Sequence, residues 1–548
     1  MKIILAACNA KYIHSNLAVY DLQAYARQYQ QHILLKEYTI NQQKDEIMKD
    51  LYEEKPDVIC FSCYIWNISF VKELAEDLKK VLPSVPFWAG GPEVSFDAEA
   101  FLAANPAFDG VMVGEGEETF LELAGYYVDH EKSLEQIRGI AFRKENQVLH
   151  NGWREIMDLS KVPFPYKDLQ DFDHRIIYYE SSRGCPFSCS YCLSSVDKKL
   201  RFRSLDLVRK ELQFFLDHKV PQVKFVDRTF NCKHDHAMAI WKYIVEHDNG
   251  VTNFHFEIAA DLLREEELEL MATMRPGLIQ LEIGVQSTNL QTLEAIHRKT
   301  DFLRICQIVE RIHSFGNIHQ HLDLIAGLPY EDYNSFHHSF NDVYALRPQQ
   351  FQLGFLKVLK GSLMKQMEKE YGIVHKEKEP YEVLSTNWIT YEDVLNLKKV
   401  ENMVEVYYNS GQFENSLKYV ETLFPDSFTM YEALGRFYEQ KGYDCISHNR
   451  LRRYEILLEF IESLKQGDVQ KGADALVLDL YLREKLKSRP SFAKDQKAEE
   501  KKIWAYRKQE NISKTAHIQV FWDGRVLLFD YEKKDPLTGN ALTEEIRL

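Results

Sequence analysis

Ser181-Ser-Arg-Gly-Cys-Pro-Phe-Ser-Cys-Ser-Tyr-Cys-Leu193 sets three cysteines, Cys185, Cys189 and Cys192, with three residues and then two residues between them. A cube of four irons and four sulfides has four iron corners, so a loop that gives three thiolates leaves one iron open to a small molecule. A structural zinc site asks instead for a fourth Cys or His at short spacing. The next such residues, Cys232 and His234, come about 40 residues later, beyond another predicted strand.

Outward from this loop, apolar runs of strand length alternate with helical patterns. Strands are expected at 176–180, 222–226, 253–259, 278–284, 319–325 and 350–355, which suggests a partial (β/α)6 barrel with its working groups at the strand carboxyl ends. The cysteine loop follows the first of these strands. Later strand ends carry Val226-Asp-Arg-Thr-Phe-Asn231, Glu282-Ile-Gly-Val-Gln-Ser287 and Asp323-Leu-Ile-Ala-Gly-Leu-Pro329. For Asp227 and Glu282 the functional reading is charge-assisted binding of a ligand amine or ribose. The bland one is an ion pair with Lys224, Arg228 or Arg298. His234-Asp-His236 has no third ligand nearby and reads as surface; Cys232 reads as packing.

Toward the N-terminus, strands at 2–8, 33–39, 57–64, 86–90 and 110–114 separated by helical spacing give a doubly wound parallel sheet. Ligands bind such sheets at the strand carboxyl ends. Those ends read Asn9-Ala-Lys-Tyr-Ile-His-Ser-Asn16, Ser62-Cys-Tyr-Ile-Trp-Asn67, Ala89-Gly-Gly-Pro-Glu93 and Gly114-Glu-Gly-Glu-Glu118. Their glycines let a backbone approach a flat, bulky ligand, although glycine after a strand is also ordinary turn chemistry.

The CxxxCxxC loop, with Tyr191 before its last cysteine and Arg183-Gly184 before its first, resembles the cluster loop of radical S-adenosylmethionine enzymes. Glu282-x-Gly-x-Gln-Ser, Arg298-Lys-Thr300 and Asp323-x-Ile-x-Gly-Leu-Pro329 resemble their barrel. Gly90-Gly-Pro-Glu93 and Asp109-Gly-Val-Met-Val-Gly-Glu-Gly-Glu-Glu-Thr119 resemble the subfamily with an N-terminal cobalamin-binding domain. The resemblance covers residues 1 to about 365. It implies a [4Fe-4S] cluster on Cys185, Cys189 and Cys192, and S-adenosylmethionine near Tyr191, Asp227, Glu282, Gln286 and Ser287. It also implies cobalamin near Asn9, Tyr12, Ser62, Tyr64, Gly90, Gly91, Pro92, Glu93, Gly114, Glu115 and Gly116. In that family one electron from the cluster cleaves S-adenosylmethionine to a 5'-deoxyadenosyl radical. The Asp-x-His-x-x-Gly signature that supplies a lower histidine to cobalt elsewhere is absent, so the lower ligand stays open. Cys8 and Cys63 also stand at strand ends where methylthiotransferases hold a second cluster, but the third such position is Gly90-Gly91.

The implied fold class is α/β: a Rossmann-like cobalamin domain over 1–135, a hairpin and linker over 136–174, the radical SAM partial barrel over 175–365 and a C-terminal α+β extension over 366–548. That extension reads as amphipathic helices over 391–460, a charged segment over 485–508 and a terminal hairpin turning at Asp523-Gly524. It resembles only an uncharacterised extension, expected to cover the barrel's open side. Residues 381–391 offer aromatics for a pocket or for core.

Composition narrows the classes further. A formal charge of −15 argues against a nucleic-acid substrate held by bulk electrostatics. The first apolar run is too short for a secretory signal or a membrane span, and nine cysteines without a paired framework fit a reducing, cytoplasmic setting. The expected function is methylation of an unactivated carbon by cobalamin and radical chemistry. A radical rearrangement without methyl transfer, a methylthiotransferase and a non-catalytic cobalamin or redox sensor are the alternatives. The expected partners are an unidentified substrate and an external one-electron reductant such as flavodoxin or ferredoxin. Substrate identity and class stay open.

Overall fold

A computed structural model describes residues 1–145, 147–535 and 538–548. Two compact units interleave along the chain. The first comprises Met1–Leu270, Glu294–Lys299 and Phe355–Thr386; the second comprises Met271–Leu293, Thr300–Gly354 and Asn387–Leu548.

In the first unit, β1 (Ile3–Asn9), β2 (Ile33–Thr39), β3 (Val58–Ser62), β4 (Phe87–Gly90) and β5 (Gly110–Met112) pair in parallel in the order 2-1-3-4-5. All seven residues of β1 and all five of β3 are buried, because helices cover both faces of the sheet. The helix Ile68–Val81 shows how: Ile68, Val71, Leu74, Ala75 and Leu78 recur at helical spacing and are buried, while Lys79 and Lys80 close its last turn. The order reverses between β1 and β3, which makes their carboxyl ends the switch-point crevice. β6 (Ile140–Lys144) and β7 (Gln147–His150) form the expected hairpin, but it is no free linker. β6 pairs antiparallel with β5 and extends the first sheet to seven strands, which buries Ile140, Ala141 and Phe142.

The same unit holds the first barrel strands, β8 (Ile177–Tyr179), then β11 (Gln222–Phe225) and β12 (Asn253–Ile258), with β11 parallel to both. Between them the short antiparallel pair β9 (Ser182–Arg183) and β10 (Arg201–Phe202) closes the cysteine loop, with Arg183 opposite Arg201.

In the second unit β13 (Ile279–Gln286) runs parallel to β14 (His319–Ala326), with a bulge between Gly284 and Gln286, and β15 (Gln350–Phe355) completes the six barrel strands. C-terminal helices pack on the helix Tyr333–Tyr344, where Phe340 and Tyr344 meet Tyr431 at ring separations of 5.9 and 5.6 Å. The terminal hairpin turns at Gly524 as expected, and a third strand, Ala541–Glu545, pairs onto it. The fold class is therefore the α/β one expected: a Rossmann-like sheet, the strands of a second α/β layer in barrel order and a largely helical C-terminal region.

Candidate cofactor sites

The cysteine loop is shaped before any ligand is considered. Gly184 sits at φ +91°, and a Cβ there would lie 2.8 Å from the Lys199 carbonyl oxygen, so only glycine lets β9 turn into the loop beside its partner strand. The Cys185 amide donates to the Asp197 carbonyl at 3.0 Å, and the Ser190 amide donates to the Ile296 carbonyl at 2.9 Å. Cys185 and Cys189 are buried and Cys192 is half-buried. Thr229 Oγ1 lies 3.7 Å from the Cys185 sulfur, and Arg298 Nη1 lies 3.8 Å from the Cys189 sulfur and 3.3 Å from Tyr191 Oη. Three thiols on one loop, with a guanidinium N–H already aimed at one of them, suit a cluster with one open iron.

Asp227 is fully buried beneath the start of this loop. Its oxygens accept from the Ser181 amide at 2.9 Å and from the Ser181 and Ser182 hydroxyls at 2.6 Å each. The ion pair weighed from the sequence is replaced by this hydroxyl and amide cage. Burial pushes the carboxyl up to about 6 even though the cage pulls the other way. His236, expected at the surface, is instead buried, 3.2 Å from Ser181 Oγ and with its ring tilted against Phe202 at 4.9 Å, because the start of its helix points two ways. Desolvation lowers it to about 4, so it stays neutral. His234 points the other way, toward Glu266 and Glu267.

Arg183 ties this loop to the first sheet. Its guanidinium reaches Glu115 at 3.0 Å, Glu117 at 2.8 Å and Glu180 at 2.7 Å, and Arg201 reaches Glu115 at 3.1 Å. Burial raises the Glu115 carboxyl, but Arg183 and Arg201 outweigh it and hold the group below its ordinary range. Asp21, buried beside them, is driven well above the aspartate range by burial and then by Glu117 and Glu180. Glu115, placed near cobalamin by the sequence, thus spends its charge on two arginines.

The other strand-end residues gather at the carboxyl edge of the first sheet. Asn9 donates to Glu37 at 2.8 Å and to the His14 carbonyl at 3.0 Å, and Ser62 accepts from Asn16 at 3.1 Å. Tyr64 stacks on Trp66 with ring centroids 4.5 Å apart, Tyr12 is 60% exposed beneath Arg175, and Trp66 is 42% exposed. This aromatic rim at the ends of β1 and β3 offers apolar surface of the kind that a flat ligand can cover. Close packing also accounts for the strand-end glycines. A Cβ on Gly91, at φ +119°, would meet the Cys63 carbonyl at 2.4 Å, and those on Gly90, Gly114 and Gly116 would meet Met112, Trp153 and Leu22 at 3.0–3.3 Å. The room they leave is filled by protein. Pro92 opens a single helical turn, and Glu93 within it is buried and accepts from Tyr381 Oη at 2.7 Å.

In the second unit Glu282 lies opposite His321 in the β13–β14 register, and Asp323 is 2.9 Å from His321. Ligand-type atoms of these three residues lie within 4.8 Å of one another. Gln286 occupies the bulge at φ +73°. Ser287 is buried and donates to Glu331 at 2.6 Å.

Residues 3–124 match the B12 binding domain, 179–343 match the Radical SAM superfamily, and 369–522 match a protein family of unknown function, DUF4080. The chain carries a B12-binding domain and a radical SAM domain. The radical SAM domain brings a [4Fe-4S] cluster and S-adenosylmethionine, and the B12 domain brings cobalamin. The chain is 27% identical over 301 residues to the 2-(S-pantetheinyl)-carbapenam-3-carboxylate methyltransferase of Streptantibioticus cattleyicolor, covering 51% of this chain and 44% of that protein. It is 28% identical over 304 residues to the cobalamin-dependent radical SAM methyltransferase TokK of Streptomyces tokunonensis, covering 52% and 44%. It spans less than half the length of these two relatives. In fold it is similar to the cobalamin-dependent S-adenosylmethionine radical enzyme OxsB, with a TM-score of 0.59 at 16% identity over 93% of this chain and 76% of that one.

Within the B12 domain, Cys8 and Cys63 are buried; desolvation raises both thiols, Cys8 up to about 12. The third strand end that a second cluster of the methylthiotransferase kind would use carries Gly90-Gly91 in place of a cysteine. From the sequence, Glu117, Glu180, Arg201 and Trp153 carry no assigned role, and Tyr381 is offered only as a pocket or core aromatic, without its Glu93 partner. Their partners lie 15 or more residues away, apart from Glu180 three residues from Arg183 and the Asp197 partner of Arg201, and no local spacing announces such pairs.

Proposed function

We infer that the protein is a cobalamin-dependent radical S-adenosylmethionine enzyme that methylates an unactivated carbon. The observation that carries this reading is the buried three-thiol loop, held in the same compact unit as a sheet whose switch-point edge exposes an aromatic rim. The methyltransferases TokK and the carbapenam enzyme among its relatives support the methyl-transfer half. When bound, the cofactors supply a hydrogen-abstracting adenosyl radical and a methyl donor; the protein aligns them and excludes water.

In this reading Cys185, Cys189 and Cys192 hold the cluster, and Asp227 fixes the loop's first residues through Ser181 and Ser182. Tyr191, Glu282, Gln286 and Ser287 take S-adenosylmethionine. Asn9, Tyr12, Ser62, Tyr64 and the turns at Gly90–Glu93 and Gly114–Gly116 bound the cobalamin cleft, residues 1–135 forming its domain, 136–174 a hairpin and linker, and 175–365 the barrel. Residues 366–548 cover the substrate side. The electron comes from a low-potential one-electron carrier of the flavodoxin or ferredoxin type, in the cytoplasm; among the described residues no helix is long and apolar enough to cross a membrane.

The test is anaerobic purification after growth with hydroxocobalamin, with cobalt, iron and absorbance measured in the wild type and in a Cys185, Cys189, Cys192 triple Ala variant. The expected result is about one cobalt per chain in both, with iron and its absorbance lost only in the variant. Reduced wild type then releases 5'-deoxyadenosine and S-adenosylhomocysteine. Iron without cobalt would remove the methyl-transfer reading; deoxyadenosine without S-adenosylhomocysteine, once substrate is found, would favour rearrangement.

A further inference from the structure

Arg298 lies far from the cysteine loop in sequence, yet the short stretch Glu294–Lys299 packs with the loop's unit and not with the unit of the elements on either side of it. Two anchors hold it there. The Ile296 carbonyl accepts from the Ser190 amide at 2.9 Å, and Arg298 Nη1 donates to Tyr191 Oη at 3.3 Å. Between them His297 takes a left-handed turn at φ +55°, which re-aims the chain. The same Nη1 comes within 3.8 Å of the Cys189 sulfur, inside hydrogen-bond range for sulfur.

Reduction of a [4Fe-4S] cluster adds one negative charge, spread over its sulfides and thiolate sulfurs. A permanent cation donating to one of those sulfurs stabilises the reduced form more than the oxidised one, because hydrogen bonds to sulfur and local charge set the cluster's potential. Arginine suits this role, since it stays protonated when buried and its planar fork serves two acceptors at once. We propose that Arg298 is a tuning residue of the cluster, donating to the Cys189 sulfur while Tyr191 Oη holds the guanidinium in place, so that the cluster accepts its electron from a less strongly reducing donor. This rests on the reading of Cys185, Cys189 and Cys192 as cluster ligands.

The experiment is an EPR-monitored redox titration of the full chain without S-adenosylmethionine, comparing wild type with Arg298→Met, Arg298→Lys and Tyr191→Phe, each with its iron content measured. Arg298→Met is expected to lower the ratio of reduced to oxidised cluster at a fixed potential by about tenfold or more, equivalent to ~59 mV for a one-electron couple. Arg298→Lys, which keeps the charge, recovers part of the loss, and Tyr191→Phe gives a smaller shift in the same direction. A fully iron-loaded Arg298→Met that titrates like wild type overturns the proposal. Should that variant not hold iron, pulsed EPR of the reduced wild type decides. Exchange into deuterium oxide is expected to show a strongly coupled exchangeable deuteron that Arg298→Lys weakens, and its absence overturns the proposal. A wild type that binds no iron condemns the cluster reading itself, a distinct result.

Discussion

At the scale of single residues, chemistry and scaffold share the same side chains. Ser287, assigned to S-adenosylmethionine by the sequence, donates to Glu331, which also accepts from Ser339 at 2.9 Å and is only 1% exposed. Burial pushes the Glu331 carboxyl up to about 7, although the two serines pull it down. Its folded value stands above the ordinary glutamate value of about 4.3, so the native state holds a proton the unfolded chain has released between those limits. Stability therefore falls as pH rises from about 4.3 to about 7, by on the order of 3 kcal/mol, and stays lower above that. Glu331→Gln keeps an acceptor for both serines and carries no charge. Urea unfolding at pH 5 and pH 8 should show the wild type losing midpoint across this range and the variant losing much less; parallel behaviour of the two would refute the assignment.

At the scale of elements, the cysteine loop and the turn after β5 are joined by charge. Arg183 serves Glu115, Glu117 and Glu180, and Gly184 lets its strand close against β10. Removing one partner of a buried ionic group leaves the rest uncompensated, which costs about 3–5 kcal/mol. Arg183→Met is expected to lower the thermal midpoint of the iron-free protein, and adding Glu117→Gln should recover part of the loss because one stranded charge is gone. An unchanged midpoint would mean that water already compensates these carboxylates. Elements themselves were legible: each of the eleven strands expected in the two sheets appears within about two residues of its place, since buried parallel strands read as apolar runs. The hairpin 140–150 was legible too, but its pairing with β5 was not, because nothing local distinguishes an edge strand from a linker hairpin.

At the scale of the whole molecule, the units do not follow the order of the chain. The second unit combines barrel strands with the C-terminal helices, joined by the Phe340, Tyr344 and Tyr431 rings and by hydrogen bonds from Tyr333 to Glu432 and from His337 to Asp426. Truncation after Thr386 would strip the helix Tyr333–Tyr344 of its cover and expose Phe340 and Tyr344. The truncated chain is expected to be insoluble or to unfold without a cooperative transition, measured by sedimentation and calorimetry. A soluble, cooperatively folded product would show that the DUF4080 region is a separable addition.

What the sequence by itself determined is whatever lies within one loop or one period: three thiolates at cluster spacing, strand ends rich in glycine, and the alternation of strands and helices, all of which rest on short-range covalent geometry and apolar periodicity. What only the tertiary structure decided is the pairing of distant groups: Arg183 with Glu115 and Glu117, Arg298 with the Cys189 sulfur, Tyr381 with Glu93, and the closing of glycine gaps by Trp153 and the Cys63 carbonyl. The reason is physical. Burying a charge or a polar group demands a partner, and the chain supplies that partner from wherever folding brings it close.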